Sequence, residues 1–254
     1  MTGKKIKDIQ EELKATKTED LQAFLDTYES DERPGVQKLV VQSNKRVEKL
    51  RAEIARMENL KFFERKYGDV FHVICGIDEA GRGPLAGPVV AGAVVFPVDT
   101  DITGINDSKK LSEKKREELY DLIMEKAISV GIGMASPQRI DEINILQATY
   151  EAMREAISKL SVSPDLLLND AVTIPELPMK QVAIVKGDAK SVSIGAASII
   201  AKVTRDRLMY EYDKVMPEYG FAKHKGYGTK EHIEAIKKYG PSPIHRATFI
   251  KNFI

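Results

Sequence analysis

Asp78 and Glu79 stand side by side in the stretch Gly76-Ile77-Asp78-Glu79-Ala80-Gly81-Arg82-Gly83-Pro84-Leu85-Ala86-Gly87-Pro88-Val89. Apolar runs flank it, Val73-Ile74-Cys75 before and Val89 to Phe96 after. Short Val- and Ile-rich runs bounded by Gly and Pro read as buried strands. Two carboxylates at the mouth of a buried strand cost stability unless positive charge meets them. Two further acids are placed in the same way. Asp170 closes the run Leu166-Leu167-Leu168-Asn169, and Asp188 follows Val182-Ala183-Ile184-Val185 and precedes a helical pattern. Acids just past the C-terminal ends of strands gather in the crevice where α/β proteins keep their chemistry.

Neighbouring strand side chains point to opposite faces, so Asp78 and Glu79 converge only if the strand ends there and the chain turns, which Gly81 and Gly83 permit. Four convergent carboxylates stay ionised together around cations, and all-oxygen ligation suits Mg²⁺ or Mn²⁺. Two such ions roughly 4 Å apart can activate water and stabilise a leaving oxygen at a phosphodiester. Asp188 alone would read as a helix cap, a role that Ser191 and Ser193 also suit. Asp78-Glu79 does not reduce to a turn, because a turn has no need of two acids followed by Gly-x-Gly. A dinucleotide site is the main competitor, since Gly81-x-Gly83-x-x-Ala86 matches a loose phosphate-binding fingerprint. That fingerprint requires a helix next. Here Pro84, Pro88 and a Val-rich strand follow, so there is no helix N-terminus to hold a pyrophosphate.

The elements that must carry these acids are legible in the periodicity. Residues 1–66 read as helices, a small all-α N-terminal domain. Pro34-Gly35 opens a long one whose positions Val36, Val40, Ser43, Val47, Leu50, Ile54 and Met57 form an amphipathic stripe. Between Arg33 and Lys66 ten bases face four acids, which is either a solvated face or a phosphate-backbone contact. Lys66-Tyr67-Gly68-Asp69 reads as a linker. From residue 70 to 254 strands and helices alternate. Strands are expected over 71–77, 89–96, 127–135, 165–169 and 181–185, and helices over 112–125, 143–160, 192–215, 230–239 and at the C-terminus. Gly195-Ala196-Ala197 would let the long helix approach a sheet closely. Consecutive strands early and strand–helix units later describe a mixed sheet covered by helices.

Bulk properties narrow the field. The chain has 254 residues and a net charge of only +1, so any basic surface must come from uneven distribution. From Lys202 onward eleven bases outnumber six acids. The single Cys75 excludes an intramolecular disulfide or a multi-cysteine zinc site, and its apolar strand marks it as a buried thiol. There is no apolar segment of spanning length and no secretory leader, which predicts a cytoplasmic protein with no membrane role. His224, His232 and His245 lie among polar residues and read as surface or local structural groups rather than ligands.

With these residues assembled, the chain resembles bacterial ribonuclease HII, the type 2 ribonuclease H family, from about Ile74 to the C-terminus. The resemblance is carried by Asp78 to Val89, Asp107-Ser108-Lys109-Lys110-Leu111-Ser112, Lys186-Gly187-Asp188-Ala189-Lys190-Ser191, Ala197 to Val203, Lys225-Gly226-Tyr227-Gly228-Thr229 and Pro243-Ile244-His245-Arg246. The helical N-terminal piece is similar to the extension of Gram-positive members. The resemblance implies a ribonuclease H-like five-stranded mixed sheet flanked by helices. It also implies Mg²⁺- or Mn²⁺-dependent endonucleolytic cleavage, with two ions during catalysis. The implied substrates are RNA in RNA–DNA hybrids and single ribonucleotides embedded in duplex DNA, cut on the 5′ side to leave 3′-hydroxyl and 5′-phosphate ends. Asp78, Glu79, Asp170 and Asp188 fall on the family's metal-site positions. Gly81-Arg82-Gly83 falls on the loop that senses the ribose 2′-OH, Tyr227 on a tyrosine that packs against a sugar, and Lys109 and Lys110 on a phosphate-contacting stretch. The third acid is often followed by Gly in that family and here by Ala171. A catalytically inactive hybrid-binding protein of the same fold is the alternative, and the intact set of four acids speaks against it.

Overall fold

A computed structural model describes residues 3–97 and 99–252, and the chain divides into two units, residues 1–58 and 59–254. In the first unit, α1 (Ile6–Ala15), α2 (Leu21–Tyr28) and most of α3 (Pro34–Leu60) enclose Ile9, Leu13, Leu21, Phe24, Leu25, Tyr28, Val36, Leu39, Val40 and Val47. The polar member of the α3 stripe, Ser43, is fully buried and donates its hydroxyl to the Leu39 carbonyl at 2.9 Å. The stripe does not stay buried to its end, because Ile54 is 51% exposed.

The larger unit opens with α4 (Phe62–Gly68). The expected linker falls partly on this helix, and Tyr67 packs on a core cluster around Ile74, Leu166 and Ile194. Five strands follow: β1 (Ile74–Ala80), β2 (Val89–Val95), β3 (Ser129–Ala135), β4 (Leu166–Asp170) and β5 (Lys180–Ile184). Their order is β3-β2-β1-β4-β5, with β1–β2 and β2–β3 antiparallel and β1–β4 and β4–β5 parallel. The expected mixed sheet is therefore present.

Helices α5 (Glu113–Lys126) and α6 (Pro137–Ser158) join strands, and α7 (Val192–Val215) follows β5, with α8 (Phe221–His224), α9 (Lys230–Tyr239) and α10 (Ala247–Ile250) after it. Cys75, Ile77, Ala91, Ala93 and Leu167 pack with Ala148, Ala152 and Ala156 of α6. Ile74, Leu166 and Leu168 pack with Ile194 of α7. Alternation along each strand thus feeds one side chain in two to each helical layer. α7 comes closest to the sheet at Gly76 and Gly92, where the sheet has no side chain. A Cβ on Gly76 would collide with Ser193, and one on Gly92 would sit 2.5 Å from the Ala197 carbonyl. The small residue on the helix, Gly195, has a different neighbour from the expected sheet. It faces Ile105 and the Asp188 carbonyl. α6 starts earlier than its periodicity indicates because Asn144, at φ 67°, breaks it into two segments and caps the second through bonds to Leu146 and Gln147 N–H.

Candidate active site

Asp78 shares its strand face with Ile74 and Gly76, and Asp170 shares one with Leu166 and Leu168, so both leave the sheet on the side of α7. Asp188 lies on the 3-10 turn Gly187–Ala189 that leads into α7. Ligand atoms of Asp78, Asp170 and Asp188 all lie within 4.8 Å of one another. The pairing of β1 with β4 ends at Ile77–Asn169, whereas its pairing with β2 continues to Ala80–Val90. The sheet opens between β1 and β4 at that level, and the three aspartates occupy the opening.

Glu79 does not join them. The expectation that the strand ends at the acid pair is wrong, because β1 runs on to Ala80. Glu79 therefore has the opposite strand parity to Asp78, and it pairs with Arg82 at 3.2 Å. It still borders the crevice, lining one cavity with Gly81, Arg82, Gly83, Ser108, Lys109, Ser198, Lys202 and Tyr227. Lys110 is outside that lining, 64% exposed and 3.9 Å from Asp107.

Burial, with the charges of Glu79 and Asp170 added, pushes the Asp78 carboxyl well above the ordinary carboxylate range. Burial also raises Glu79, against the pull of Arg82, and raises Asp188, where Asp170 and Asp107 add to it. Carboxyls held close, half-desolvated and all on oxygen donors fit a hard divalent cation. Asp78, Asp170 and Asp188 can hold one directly, with Glu79 at the margin.

The ribonuclease HII family model matches residues 75–252, and that of the ribonuclease HII N-terminal domain matches residues 5–68. The chain is 64% identical to a ribonuclease HII of Lachnoclostridium phytofermentans over 248 residues, 98% of this chain and 97% of that one. The chain belongs to the ribonuclease HII family. It is an endonuclease of the ribonuclease H type, a hydrolase. A ribonuclease HII of Bacillus subtilis is 52% identical over 250 residues, 98% of this chain and 96% of that one. The solved ribonuclease H2 of Pyrococcus horikoshii matches with a TM-score of 0.60 at 31% identity, over 71% of this chain and 96% of that one. Among the described residues no helix is long and apolar enough to cross a membrane.

Several residues of this ribonuclease HII family site received no role in the sequence reading. Ser198 of α7 favours the charged form of Asp78 and its hydroxyl lies 3.0 Å from that of Ser108. Arg205 and Arg246 are fully buried and face backbone rather than acids. Arg246 donates to the carbonyls of Gly81, Arg82 and Gly87, and Arg205 to those of Ala86, Pro88 and Lys225. Together they clamp the glycine loop.

The histidines are not surface groups. His224, His232 and His245 are buried local structural groups, with the His224 ring stacked 4.3 Å from that of His232. His245 Nδ1 accepts from Ser242 N–H, so its Nε2 donates to His232 Nε2 at 3.0 Å, and His232 Nδ1 donates to the Tyr227 carbonyl at 2.9 Å. His224 Nδ1 accepts from Gly226 N–H. All three are neutral in this network. Tyr227 itself is 44% exposed, its ring edge 3.9 Å from where a Cβ on Gly83 would be.

Proposed function

We propose that this enzyme cleaves RNA in RNA–DNA hybrids and also cuts duplex DNA at a single embedded ribonucleotide. Cutting falls on the 5′ side and leaves 3′-hydroxyl and 5′-phosphate ends. The supporting observation is the single cavity lined by Gly81-Arg82-Gly83, Lys109 and Tyr227 beside the aspartate cluster. The 2′-OH is the backbone group that marks a ribonucleotide. The carbonyls of Gly81 and Arg82 are turned onto Arg246, so the N–H groups of the same peptides, on Arg82 and Gly83, point the other way. A loop so bare of side chains lets those groups reach a ribose hydroxyl. Tyr227 packs on a neighbouring sugar, which sets position rather than charge. Lys109 and Lys110 neutralise phosphates.

Asp78, Asp170 and Asp188, with Glu79, would hold Mg²⁺ or Mn²⁺, two ions during catalysis. When bound, such ions supply an activated water and neutralise the leaving oxygen. The helical region over residues 1–66 adds backbone contacts through Lys38, Lys45, Arg46 and Lys49, which line one exposed groove of α3.

The test is a labelled duplex pair, identical but for one 2′-OH, cut by the parent and by Tyr227→Ala. The parent is expected to cut only the duplex with the hydroxyl, since an unpaired polar partner costs about 1–3 kcal/mol and misplaces the scissile phosphate. Tyr227→Ala should cut poorly while binding nearly as well. Equal cutting of both duplexes by the parent would remove the ribose-sensing role. In the same assay, replacing Lys38, Lys45 and Lys49 by Ala should make the slope of log affinity on log salt shallower by about 2–3. An unchanged slope would return that groove to a solvated face.

A further inference from the structure

We infer that Glu64, on α4, is a positioning residue for Asp188, acting through the first turn of α7. The inference rests on the metal-site reading above. Glu64 Oε1 gathers three donors: Ser191 Oγ at 2.6 Å, Ser193 Oγ at 2.8 Å and Ser193 N–H at 3.0 Å. These donors lie more than 120 residues away in the chain, three and five positions after Asp188.

Each of the two serines ties the carboxylate to one side of the metal cluster. Ser191 donates its backbone N–H to the Gly187 carbonyl at 2.9 Å, closing the turn that carries Asp188. Its hydroxyl donates to Glu64 and accepts from Ile194 N–H at 3.2 Å, which leaves the rotor one orientation. Ser193 lies against Gly76, where any Cβ would collide with it, and Gly76 precedes Asp78 by two residues on the same strand face. Glu64 thus pins the seam between the Asp188 turn and the Asp78 strand.

The carboxylate stabilises the start of α7 by taking Ser193 N–H and two buried hydroxyls, but capping of the helix does not by itself call for it. Ser191 already caps α7 through Ile194. The second oxygen, Glu64 Oε2, is buried with no hydrogen-bond partner among the described residues. A buried oxygen left unpaired is unfavourable, and such locally costly choices concentrate where function requires them. The helix N-terminus offsets part of that cost by favouring negative charge. Losing a group that orients a metal's holders typically costs about 10- to 100-fold in metal affinity or activity.

The experiment compares the full-length parent with Glu64→Ala, Glu64→Gln and Ser193→Ala. It has three readouts: kcat and KM on an RNA–DNA hybrid, Mn²⁺ binding by electron paramagnetic resonance without substrate, and amide exchange in metal-free protein. Glu64→Ala should weaken Mn²⁺ binding and lower kcat about tenfold each, with KM within about twofold. Its exchange over residues 187–193 should quicken. Glu64→Gln keeps an acceptor oxygen and should recover most of both. A folded Glu64→Ala with Mn²⁺ binding and kcat within about twofold of the parent overturns the inference, even if it melts earlier. Should Glu64→Ala fail to fold, Ser193→Ala decides: weaker Mn²⁺ binding supports the role, and unchanged binding ends it. If the parent itself binds no Mn²⁺, the metal-site reading fails separately. Exchange over 187–193 then still tests whether Glu64 holds the turn, and unchanged exchange overturns that.

Discussion

Arg246 Nε donates to the carbonyl of Gly87 across 3.0 Å, joining residues 159 positions apart. The same guanidinium reaches Gly81 and Arg82. Burial and the like charge of Arg205 lower its pKa to about 9, so it still carries its proton at neutral pH. A planar fork of five donors suits three diverging carbonyls, which an ammonium cannot match. Arg246→Met leaves those carbonyls unpaired and should cost at least about 3 kcal/mol in denaturant unfolding. Arg246→Lys should recover only a minor part. Unchanged stability in Arg246→Met would remove the clamp from the account.

Asp78→Asn, Asp170→Asn and Asp188→Asn should each abolish most cleavage. Metal-free melting should rise for Asp78→Asn and Asp188→Asn, because burial and neighbouring carboxylates disfavour the charged forms there. Glu79→Gln should also impair cleavage. Since Glu79 is outside the set of three, its loss should weaken Mn²⁺ binding less than the loss of Asp78. Near-normal turnover in any aspartate variant at saturating metal would break the proposed site.

The buried histidines set an acid limit. Burial holds His232 and His245 at about 4, below the ordinary 6.5, and lowers His224 as well. In the window from about 6.5 down to about 4 the unfolded chain binds protons that the folded chain refuses, so stability falls as pH falls. Above that window these groups contribute no slope. Unfolding curves from pH 7.5 to 5 should show the loss, and His245→Asn should flatten it. A pH-independent midpoint in the parent would contradict the neutral network.

Ala171 adopts φ 57°, the left-handed region, and donates its N–H to the Ile184 carbonyl at 3.1 Å. A Cβ there costs roughly 1–2 kcal/mol, which a glycine would avoid. After the entropy that glycine loses on folding, Ala171→Gly should stabilise by about 0.5–1 kcal/mol. It should leave Asp170 in place and cleavage intact. A destabilised variant would show that the Ala171 methyl makes a contact worth more than the strain.

What the sequence showed and what it hid divide along range. α7 and α9 fall on their expected spans because Ser191 and Thr229 cap them and the periodicity is local. The aspartate cluster was legible because each member closes an apolar run. β1 was cut short because its last residues pair only with β2, which no local signal announces. Charge counting says nothing of where the bases point. Of the eleven bases from Lys202 onward, Arg205 and Arg246 are buried on carbonyls. Lys202, Arg207, Lys214, Lys223 and Lys230 have carboxylate partners. Near α3, Arg33, Lys61 and Arg65 pair with Asp31, Asp101 and Asp99, acids outside the counted stretch. Glu64 was invisible for the same reason: its partners are assembled by the fold.

Cys75 is fully buried in β1, and its thiol is pushed up to about 12. At neutral pH the folded enzyme therefore offers almost no thiolate to an alkylating reagent. Opening the sheet restores an ordinary, reactive sulfhydryl, and no other cysteine competes for the label. The chain thus carries its own clock for unfolding. The rate at which a maleimide dye accumulates on the purified protein reports how often the central strand comes free, without any engineered probe.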